Sequence, residues 1–299
     1  MKRVAILMSA YNGDAYIEEQ IESIYAQDYK NFCLYIRDDG SDEAFVAKLE
    51  RMQSRYGFVL YKGDNIGFLK SFFWLLQQVT DADYYAFADQ DDIWKPEKIT
   101  KAVRWLSKTE TSSPNIPLLY HCSYEVRKKQ GELADTFYFD EKRYDFRRSI
   151  TENHYSGFAM VVNQSMRRYM LQADVNRLDY HDWWAANIAK GIGQACFDSY
   201  VGAVHRAHED NVTKITFARK IAWFLDSLRE ESAIHKRAEE CERVFGSELS
   251  CDNQNILQLF TYKRYHLGKA LRKCFYPKRW RPVFSSEIAM RILMFIGKI

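Results

Sequence analysis

Three carboxylates lie within four residues at the end of an apolar run. Residues 84–88 read YYAFA and are followed by Asp89, Asp91 and Asp92. Crowded carboxylates repel one another, so such a cluster needs a cation or a structural reason. Hard cations such as Mg²⁺ or Mn²⁺ prefer carboxylate oxygens together with the phosphates of a substrate. The spacing lets Asp89 and Asp91 turn toward one ion and predicts a divalent-metal site for a phosphate-bearing substrate. The alternative is a loop in which Asp91 or Asp92 caps a turn.

A second acidic pair, Asp38 and Asp39, follows another strand-like run and precedes Gly40. Carboxylates at a strand end can accept hydrogen bonds from a base N–H or from ribose hydroxyls. The competing interpretation is an Asx-type turn in which Ser41 or Asp42 caps the next helix. Taken alone, this pair favours the turn.

The turn at residues 63–71, GDNIGFLKS, opens a helix whose N-terminus could face an anion. It lacks the G-x-x-x-x-G-K-[ST] pattern and is therefore not a P-loop. A plain strand-to-helix connection is the favoured interpretation of the turn.

Two later groups complete the candidates. Asp182 opens a helical stretch, where it is either a general base for an attacking hydroxyl or an acid placed favourably against the helix dipole. In the run 205–211, His208 could be a metal ligand and Arg206 a phosphate partner. A structural histidine is the alternative for His208.

The residues around these groups alternate between strand and helix patterns. Strands are predicted at 4–8, 32–37, 59–62, 84–88 and 118–125, and helices at 16–25, 44–55, 67–79, 96–107 and 181–190. Such alternation predicts an α/β fold with a mostly parallel sheet flanked by helices. The acidic groups then follow the carboxyl ends of strands, where open α/β sheets bind ligands. From residue 215 onward the pattern is helical almost throughout.

Length and composition suit one large α/β domain with an extension, since the chain has 299 residues of which 47% are hydrophobic. The six cysteines form no C-x-x-C pair and match no zinc spacing, which favours free thiols in a reducing compartment. The apolar run at 4–8 is too short for a signal peptide or a membrane span. We therefore expect a cytoplasmic protein.

In this order, the groups resemble the family 2 glycosyltransferases with the GT-A fold, over about residues 4–213. The resemblance rests on MSAYNG at 8–13, DDGS at 38–41 and DQDD at 89–92. The nearest likeness is to the bacterial rhamnosyltransferase-like branch, which tends to show DQDD followed by Ile-Trp, a Ser-Gly turn, a His-Asp-Trp-Trp run and a late Arg-x-His. Here these are residues 89–94, 156–157, 181–184 and 206–208. Relatives often continue the last motif with Gly-Asn-Asn, whereas this chain has Glu-Asp-Asn at 209–211.

The resemblance implies roles for particular residues. The nucleotide sugar is expected to contact Ser9, Tyr11, Asp38, Asp39, Asn65, Lys70, Asp89 and Gln90. The acceptor is expected beside Ser156, Gly157, Trp183 and Trp184. Asp91 and His208 are expected to bind Mg²⁺ or Mn²⁺, and Asp182 is the expected catalytic base of an inverting transfer. The GT-A catalytic domain would span 1–213, with a nucleotide-sugar half at 1–108 and an acceptor half at 109–213, and a helical extension would follow at 214–299.

The implied function is transfer of a sugar from a nucleotide-diphosphate donor to a saccharide hydroxyl in bacterial cell-surface polysaccharide or glycan biosynthesis. The branch resemblance suggests dTDP-rhamnose, and UDP-hexoses with a glycoprotein or lipid-linked acceptor stay open. A non-catalytic sugar-nucleotide-binding scaffold is a further alternative. A metal-dependent phosphohydrolase would need a second set of ligands for a two-metal site, and the sequence supplies no clear one.

The C-terminal segment 255–299 carries ten Lys or Arg and one acid, Glu287, leaving 33 basic and 39 acidic residues elsewhere. Its cations interleave with aromatic residues, as suits the headgroup region of a bilayer. We expect peripheral binding to an anionic inner leaflet, near a lipid-linked acceptor. The alternatives are a helical bundle packed on the catalytic domain or a contact between copies of the chain. Nucleic acid is not an expected partner because no recognised binding motif accompanies the charge.

Overall fold

The computed structural model describes residues 1–128, 131–207, 232–261 and 265–299, which form one mixed β-sheet flanked by helices. The strands are β1 (Val4–Ala10), β2 (Phe32–Asp39), β3 (Val59–Gly63), β4 (Tyr84–Ala88), β5 (Ile93–Trp94), β6 (Leu118–Lys128), β7 (Leu133–Phe137), β8 (Met160–Asn163) and β9 (Gln194–Ala207). The helices before β9 are α1 (Ile17–Tyr25), α2 (Glu43–Tyr56), α3 (Phe68–Gln78), α4 (Lys98–Ser112), α5 (Phe146–Thr151), α6 (Gln164–Met170) and α7 (His181–Ile192). Those after β9 are α8 (Ala233–Phe245), α9 (Cys251–Leu257), α10 (Leu267–Cys274) and α11 (Phe284–Phe295).

The sheet has the strand order β3-β2-β1-β4-β8-β6-β9-β5, with β7 paired to the outer part of β6. The four strands of the first half pair in parallel, as the alternating pattern predicts. The second half departs from a mostly parallel sheet, because β8 runs antiparallel to both β4 and β6, and β5 runs antiparallel to β9. Antiparallel pairing needs no crossover helix, and the connection from β6 to β8 contains β7 and, as its one α-helix, the short α5. The expected α/β fold is therefore confirmed, with a mixed second half.

Both faces of the central strands are buried, which explains their continuous apolar sequences. In β1, Val4, Ile6 and Met8 join the core on one face of the sheet, while Ala5 and Leu7 join the core on the other. Strand β4 divides its side chains between the same two cores. The site must therefore lie beyond the ends of these strands.

The parallel register brings the carboxyl ends of the first strands to one edge. Ala10 lies beside Asp38, Asp39 beside Gly63, and Met8 beside Ala88. Consequently the loops after β1, β2, β3 and β4, which carry the predicted nucleotide-sugar residues, all leave the sheet at the same edge.

The helices after β9 pack on the body of the protein. Phe245 of α8 contacts Trp184 of α7, with ring centroids 5.7 Å apart. Trp280 is fully buried, and its backbone carbonyl accepts a hydrogen bond from the Thr151 hydroxyl at 3.1 Å. Arg147 of α5 also donates to the carbonyl of Arg279. The predicted boundary at 213/214 lies within 208–231, outside the described residues, so the domain division stays a prediction.

No helix in the described part of the chain is both long enough and apolar enough to cross a membrane.

Trp280→Ala tests how firmly these helices are attached to the body. Its ring packs on Phe260 and Tyr276, and its Nε1 donates to the Lys273 carbonyl at 2.9 Å. We expect the substitution to lower the free energy of unfolding by about 3–5 kcal/mol in urea denaturation, because it removes a large buried side chain. The matched control is Phe275→Ala, since that ring is 79% exposed, and its change should stay within about 0.5 kcal/mol. Equal stability of the two variants would contradict the packing.

Candidate functional site

The loop after β1 is fastened to the loop after β4 by Gln90. The Tyr11 N–H donates to Gln90 Oε1 at 2.9 Å, and Gln90 Nε2 donates to the Tyr11 carbonyl at 3.0 Å. A Cβ on Gly13 would lie 2.4 Å from the same Oε1. The side-chain amide of Gln90 therefore positions the backbone at Tyr11. The Tyr11 ring is half exposed at the sheet edge. A direct contact of Gln90 with the nucleotide sugar stays a prediction.

Asp39 performs a similar task for the loop after β3. One carboxylate oxygen accepts from Ile66 N at 3.0 Å and the other from Gly67 N at 2.9 Å, while Arg37 forms an ion pair with the same group. The side chains of Asp39 and Arg37 are both buried. The carboxylate thus holds the loop that leads into α3, and a direct contact of Asp39 with a ribose stays a prediction.

Gly40 is required by this arrangement. Its φ is +82°, in the left-handed region that favours glycine, and a Cβ there would lie 2.6 Å from Asn65 N. The turn after β2 and the turn after β3 therefore approach each other at backbone distance. This close approach keeps the exposed Asn65 at the same edge as Asp38 and Asp39.

Asp38 leaves an acceptor open at the end of β2. It is buried, its Oδ2 accepts a long hydrogen bond of 3.4 Å from Ser41 N, and its Oδ1 has no hydrogen-bond partner among the described residues. A buried oxygen without a donor is costly unless a ligand supplies one. Nearby, the Ser9 hydroxyl donates to the Ser71 hydroxyl at 2.7 Å, and Lys70 is exposed on the first turn of α3.

The three carboxylates after β4 converge. One oxygen each of Asp89, Asp91 and Asp92 lie within 4.8 Å of one another. Asp92 is fully buried, where its Oδ1 lies 2.8 Å from His205 Nδ1 of β9 and its Oδ2 has no hydrogen-bond partner in the described part of the chain. Gln20 of α1 donates to the Asp89 carbonyl at 2.9 Å and holds the start of the loop.

The electrostatics of this cluster are unfavourable for the carboxylates alone. Burial, together with the charges of Asp92 and Asp91, raises the pKa of Asp89 well above its usual range. Burial also raises the pKa of Asp92, and the hydrogen bond and charge of His205 partly oppose it. The pKa of His205 is in turn raised, because Asp92 outweighs the effect of burial.

One lysine lies beneath the cluster. Lys98 is fully buried, donates to the Phe158 carbonyl and lies 3.4 Å over the centroid of the Trp94 ring. Burial lowers its pKa to about 8, although the charges of Asp92 and Asp89 act in the opposite direction. Lys98 therefore offsets part of the negative charge of the three carboxylates, and a divalent cation would offset more.

The residues present thus fit a divalent cation. The converging oxygens, the unpartnered Asp92 Oδ2 and the raised pKa of Asp89 all describe a site that positive charge would stabilise. His208 lies outside the described residues, so its predicted place as a ligand remains a prediction. His205, three residues earlier, supports Asp92 instead.

Asp182 lies at the start of α7 with both oxygens held. Trp183 N donates to its Oδ1 at 2.6 Å and Gly157 N to its Oδ2 at 3.2 Å. Burial nevertheless raises the pKa of Asp182 to about 7, against these hydrogen bonds. The charge of Asp182 also contributes to the raised pKa of Asp89, which places the two carboxylates within electrostatic reach of each other.

His181 forms the wall between Asp182 and the sheet. Its ring centroid lies 4.5 Å from that of Phe72 and 4.8 Å from that of Phe87, and neither ring nitrogen has a hydrogen-bond partner in the described residues. Burial lowers the pKa of His181 to about 3, so the ring is neutral. A Cβ on Gly157 would lie 2.4 Å from His181 Nε2, and only glycine allows this approach.

Ser156 and Trp183 remain near Asp182. Ser156 N donates to His121 Nε2 at 3.0 Å, and its hydroxyl lies 3.1 Å from that of Tyr124. The charges of both Asp92 and Asp182 act on Tyr124 and contribute to raising its pKa, after burial as the main cause. Tyr124 is therefore within electrostatic reach of both Asp92 and Asp182, and its hydroxyl contacts that of Ser156.

The two tryptophans differ. Trp183 is half-buried, with its Nε1 donating to the Ser149 carbonyl at 2.5 Å and the Arg237 guanidinium 3.4 Å over its ring. Trp184 is fully buried in the core against Phe245. The expectation that Trp184 contacts an acceptor is therefore wrong: successive helical residues point in different directions, and this one points into the core.

Several residues of the site escaped the sequence reasoning. They are Gln20, Lys98, His121, Tyr124 and His205. A single buried lysine or histidine carries no local pattern, and only the fold brings it to the acidic cluster. His205 had the best signal, because it belongs to the same run as Arg206 and His208.

Comparisons with known proteins agree with this geometry. Residues 5–173 match the family model described as glycosyl transferase family 2. A dTDP-rhamnosyl transferase, RfbG of Shigella flexneri, is 25% identical over 215 residues, covering 68% of this chain and 72% of the relative. An uncharacterised glycosyltransferase of Haemophilus influenzae is 34% identical over 110 residues, covering 36% of this chain and 33% of that relative. The chain thus spans most of one curated relative and about a third of another.

Solved structures share the fold. TarS 1–349 of S. aureus in complex with UDP-GlcNAc superposes with a TM-score of 0.55 at 14% identity, covering 99% of this chain and 90% of that one. The mannosyltransferase PcManGT of Pyrobaculum calidifontis, in complex with GDP-Man and Mn²⁺, gives a TM-score of 0.52 at 14% identity, covering 99% and 87%. The GT-A fold expected from the sequence is confirmed.

Gly157→Ala tests the contact that places Asp182. Its Cβ would collide with the His181 ring, which already packs against the rings of Phe72 and Phe87. We expect the free energy of unfolding to fall by about 1–3 kcal/mol in urea denaturation, as overpacking of a filled site does. In the control Gly246→Ala, the nearest atom is Glu242 Cγ at 3.4 Å and the backbone is helical, so the change should stay within about 0.5 kcal/mol. Wild-type stability of Gly157→Ala would show that His181 can shift.

Proposed function

We propose that this chain, which belongs to glycosyl transferase family 2, is an inverting, metal-dependent enzyme that moves a sugar from a nucleotide-diphosphate donor to a hydroxyl of a saccharide acceptor. The pathway we propose is bacterial cell-surface polysaccharide or glycan biosynthesis. The observation that carries the mechanism is the placement of Asp182. A carboxylate with a pKa of about 7 lies within electrostatic reach of Asp89, one of three converging acids.

A dTDP-linked sugar, with rhamnose first, is the proposed donor. It is supported by the relative named a dTDP-rhamnosyl transferase, which aligns over 68% of this chain. UDP-hexose is the second candidate, favoured by the fold neighbour solved with UDP-GlcNAc, although at only 14% identity. We propose that the nucleotide lies at the common edge of β1 to β4, where the open Asp38 Oδ1 could accept from a base N–H. Tyr11 and Ser9 border the same edge.

The proposed reaction is a single displacement. The acceptor oxygen forms a bond to the anomeric carbon, the bond from that carbon to the diphosphate breaks, and the hydroxyl proton passes to Asp182. Asp182 suits a base because its two backbone hydrogen bonds fix the carboxylate while burial makes it readier to accept a proton. Inversion follows because one base suffices and no protein nucleophile intervenes.

Asp91 and His208 are the residues that we propose hold Mg²⁺ or Mn²⁺, beside Asp89. When bound, the ion would supply positive charge to the diphosphate. Asp92 is assigned a supporting role, because one of its oxygens is engaged by His205. Ser156 and Trp183 border Asp182 and are the proposed neighbours of the acceptor. The six cysteines are all unpaired, which supports the expected cytoplasmic location.

Asp182→Asn is the direct test of the mechanism. We expect a loss of about 10²–10⁴-fold in kcat for sugar transfer, because the variant cannot accept the proton. In the wild-type enzyme kcat/KM should rise with pH up to about 7 and then level off, since only the ionised carboxylate is a base and its pKa is about 7. The residual activity of the variant should lack this rise.

The control for Asp182→Asn is Asp81→Asn, an exposed carboxylate before the opposite end of β4. It should transfer sugar as the wild-type enzyme does. The Asp182→Asn variant should still bind the nucleotide sugar, as measured by the shift of its thermal midpoint. Full transfer by Asp182→Asn would reject Asp182 as the base, and binding without transfer by the wild-type chain on every donor and acceptor tried would favour a non-catalytic scaffold.

Asp91→Ala tests the metal site and the donor together. We expect dTDP-, UDP- or GDP-sugars with Mn²⁺ to raise the thermal midpoint of the wild-type chain, with the largest shift for a dTDP-sugar. The shift should disappear in Asp91→Ala, because a carboxylate ligand is lost, and persist in Asp81→Ala. Calorimetry with and without Mn²⁺ measures the same coupling. Unchanged Mn²⁺-dependent binding by Asp91→Ala would exclude Asp91 as a ligand.

A further inference from the structure

Helix α11 is apolar on two faces. Met290, Leu293 and Met294 are buried in the core. The opposite stripe, spaced by three or four residues, is exposed and consists of Phe284, Ile288, Ile292 and Phe295. A helix that is apolar all round is normally covered on all sides. Nothing in the described part of the chain covers this stripe.

Helix α10 presents a matching stripe. Leu267 and Leu271 are exposed one turn apart, and Phe275 follows with 79% of its surface exposed. The two stripes meet in an apolar groove of about 420 Å³, whose walls include Leu271, Phe275, Ile288, Ile292 and Phe295. Soluble monomers rarely expose a contiguous apolar surface built from two elements, and such surfaces mark a partner or a membrane.

The segment that forms the groove is rich in cations. The side-chain cations of residues 265–299 are Lys269, Arg272, Lys273, Lys278, Arg279, Arg281, Arg291 and Lys298. Glu287 is the one acidic side chain of that segment, and it is buried and accepts from Arg291 Nε at 2.6 Å. The exposed side-chain charge on this segment is therefore positive.

A wider cavity of about 900 Å³ adjoins the groove and shares Leu271 and Phe275 with it. Three cationic side chains, those of Arg147, Arg272 and Lys278, are in its lining, together with the acids Asp145 and Asp252. Apolar side chains and cations thus lie side by side on one surface. This is the composition of a helix face at the boundary between headgroups and acyl chains.

We propose that the α10–α11 face docks on an anionic lipid bilayer. The apolar stripes enter the boundary of the acyl chains, and Arg272, Lys278 and Arg279 lie at the level of the lipid phosphates. A second copy of the chain fits the surface less well, because a two-fold contact would bring the same cations together. The docking does not depend on the proposed transfer reaction.

Vesicle flotation of the full chain is the test. Large vesicles of phosphatidylcholine alone are compared with vesicles containing 30% phosphatidylglycerol at low and high salt. We expect binding to the anionic vesicles that weakens with salt and weak or absent binding to phosphatidylcholine. Equal binding to both compositions, or none to either, would overturn the proposal.

The apolar stripe is tested by the double variant Ile288→Ser with Ile292→Ser. We expect at least a ten-fold loss of partitioning onto anionic vesicles, because two side chains that would enter the acyl boundary become polar. The matched control is Leu133→Ser with Tyr138→Ser, two exposed apolar side chains in and next to β7, which should bind as the wild type does. Unchanged partitioning of the Ile288/Ile292 variant would reject the stripe as the contact.

The cations are tested by Arg272→Glu with Lys278→Glu, against Arg51→Glu with Arg104→Glu, which removes the same charge from exposed positions on α2 and α4. The first pair should lose about ten-fold or more in partitioning and the second should lose clearly less. Similar losses of partitioning in both pairs would show that net charge alone governs binding, and would reject the α10–α11 face as a specific contact. Thermal unfolding of every variant shows whether it still folds. The shift of its thermal midpoint with a nucleotide sugar shows whether it still binds the donor, so that a loss of membrane docking can be recognised separately.

Sedimentation velocity of the wild-type chain without lipid tests whether a second copy of the chain occupies the α10–α11 face. We expect a monomer, or an oligomer that the Ile288/Ile292 variant leaves intact. A dimer that this variant dissociates would assign the face to a second copy of the chain and overturn membrane docking.

Discussion

The architecture of this site depends on crowding three carboxylates in a nearly dry place. Asp89, Asp91 and Asp92 converge at the end of β4, and burial makes the ionisation of Asp89 and Asp92 costly. The protein offsets only part of that cost, with His205 from β9 and Lys98 from α4. The negative charge that these two groups leave uncompensated would favour the binding of a cation together with the phosphates that accompany it.

The same dryness accounts for the candidate base. Asp182 is oriented by two backbone N–H groups, which favour its ionised form, while burial raises its pKa to about 7. The balance leaves a fixed carboxylate that accepts a proton more readily than an exposed aspartate would. The neutral His181 ring, packed against Phe72 and Phe87, keeps this part of the site apolar.

The C-terminal helices have one face packed on the body of the protein and another exposed to solvent. The inner face of α11 and the ring of Trp280 belong to the core of the body, while the outer stripes of α10 and α11 remain in contact with solvent. The sequence pattern had left packing on the body and binding to a membrane as alternatives. The structure shows that packing occupies one face only, so the two are compatible.

The sequence alone determined the order of the strands and helices in the first half, because buried parallel strands and amphipathic helices have distinct periodicities. It also singled out Asp91 and Asp182 as candidates, with a turn cap and a favourable place against the helix dipole as their respective alternatives. What it could not determine was which polar group a given side chain would meet. Asp39 turned out to hold the backbone at 66–67, Gln90 to hold Tyr11, and Trp184 to lie in the core. These partners come from segments far apart in the chain, or from the direction in which a helix faces. Only the tertiary packing decides them, and the same packing brings Lys98 and His205 to the acids that they support.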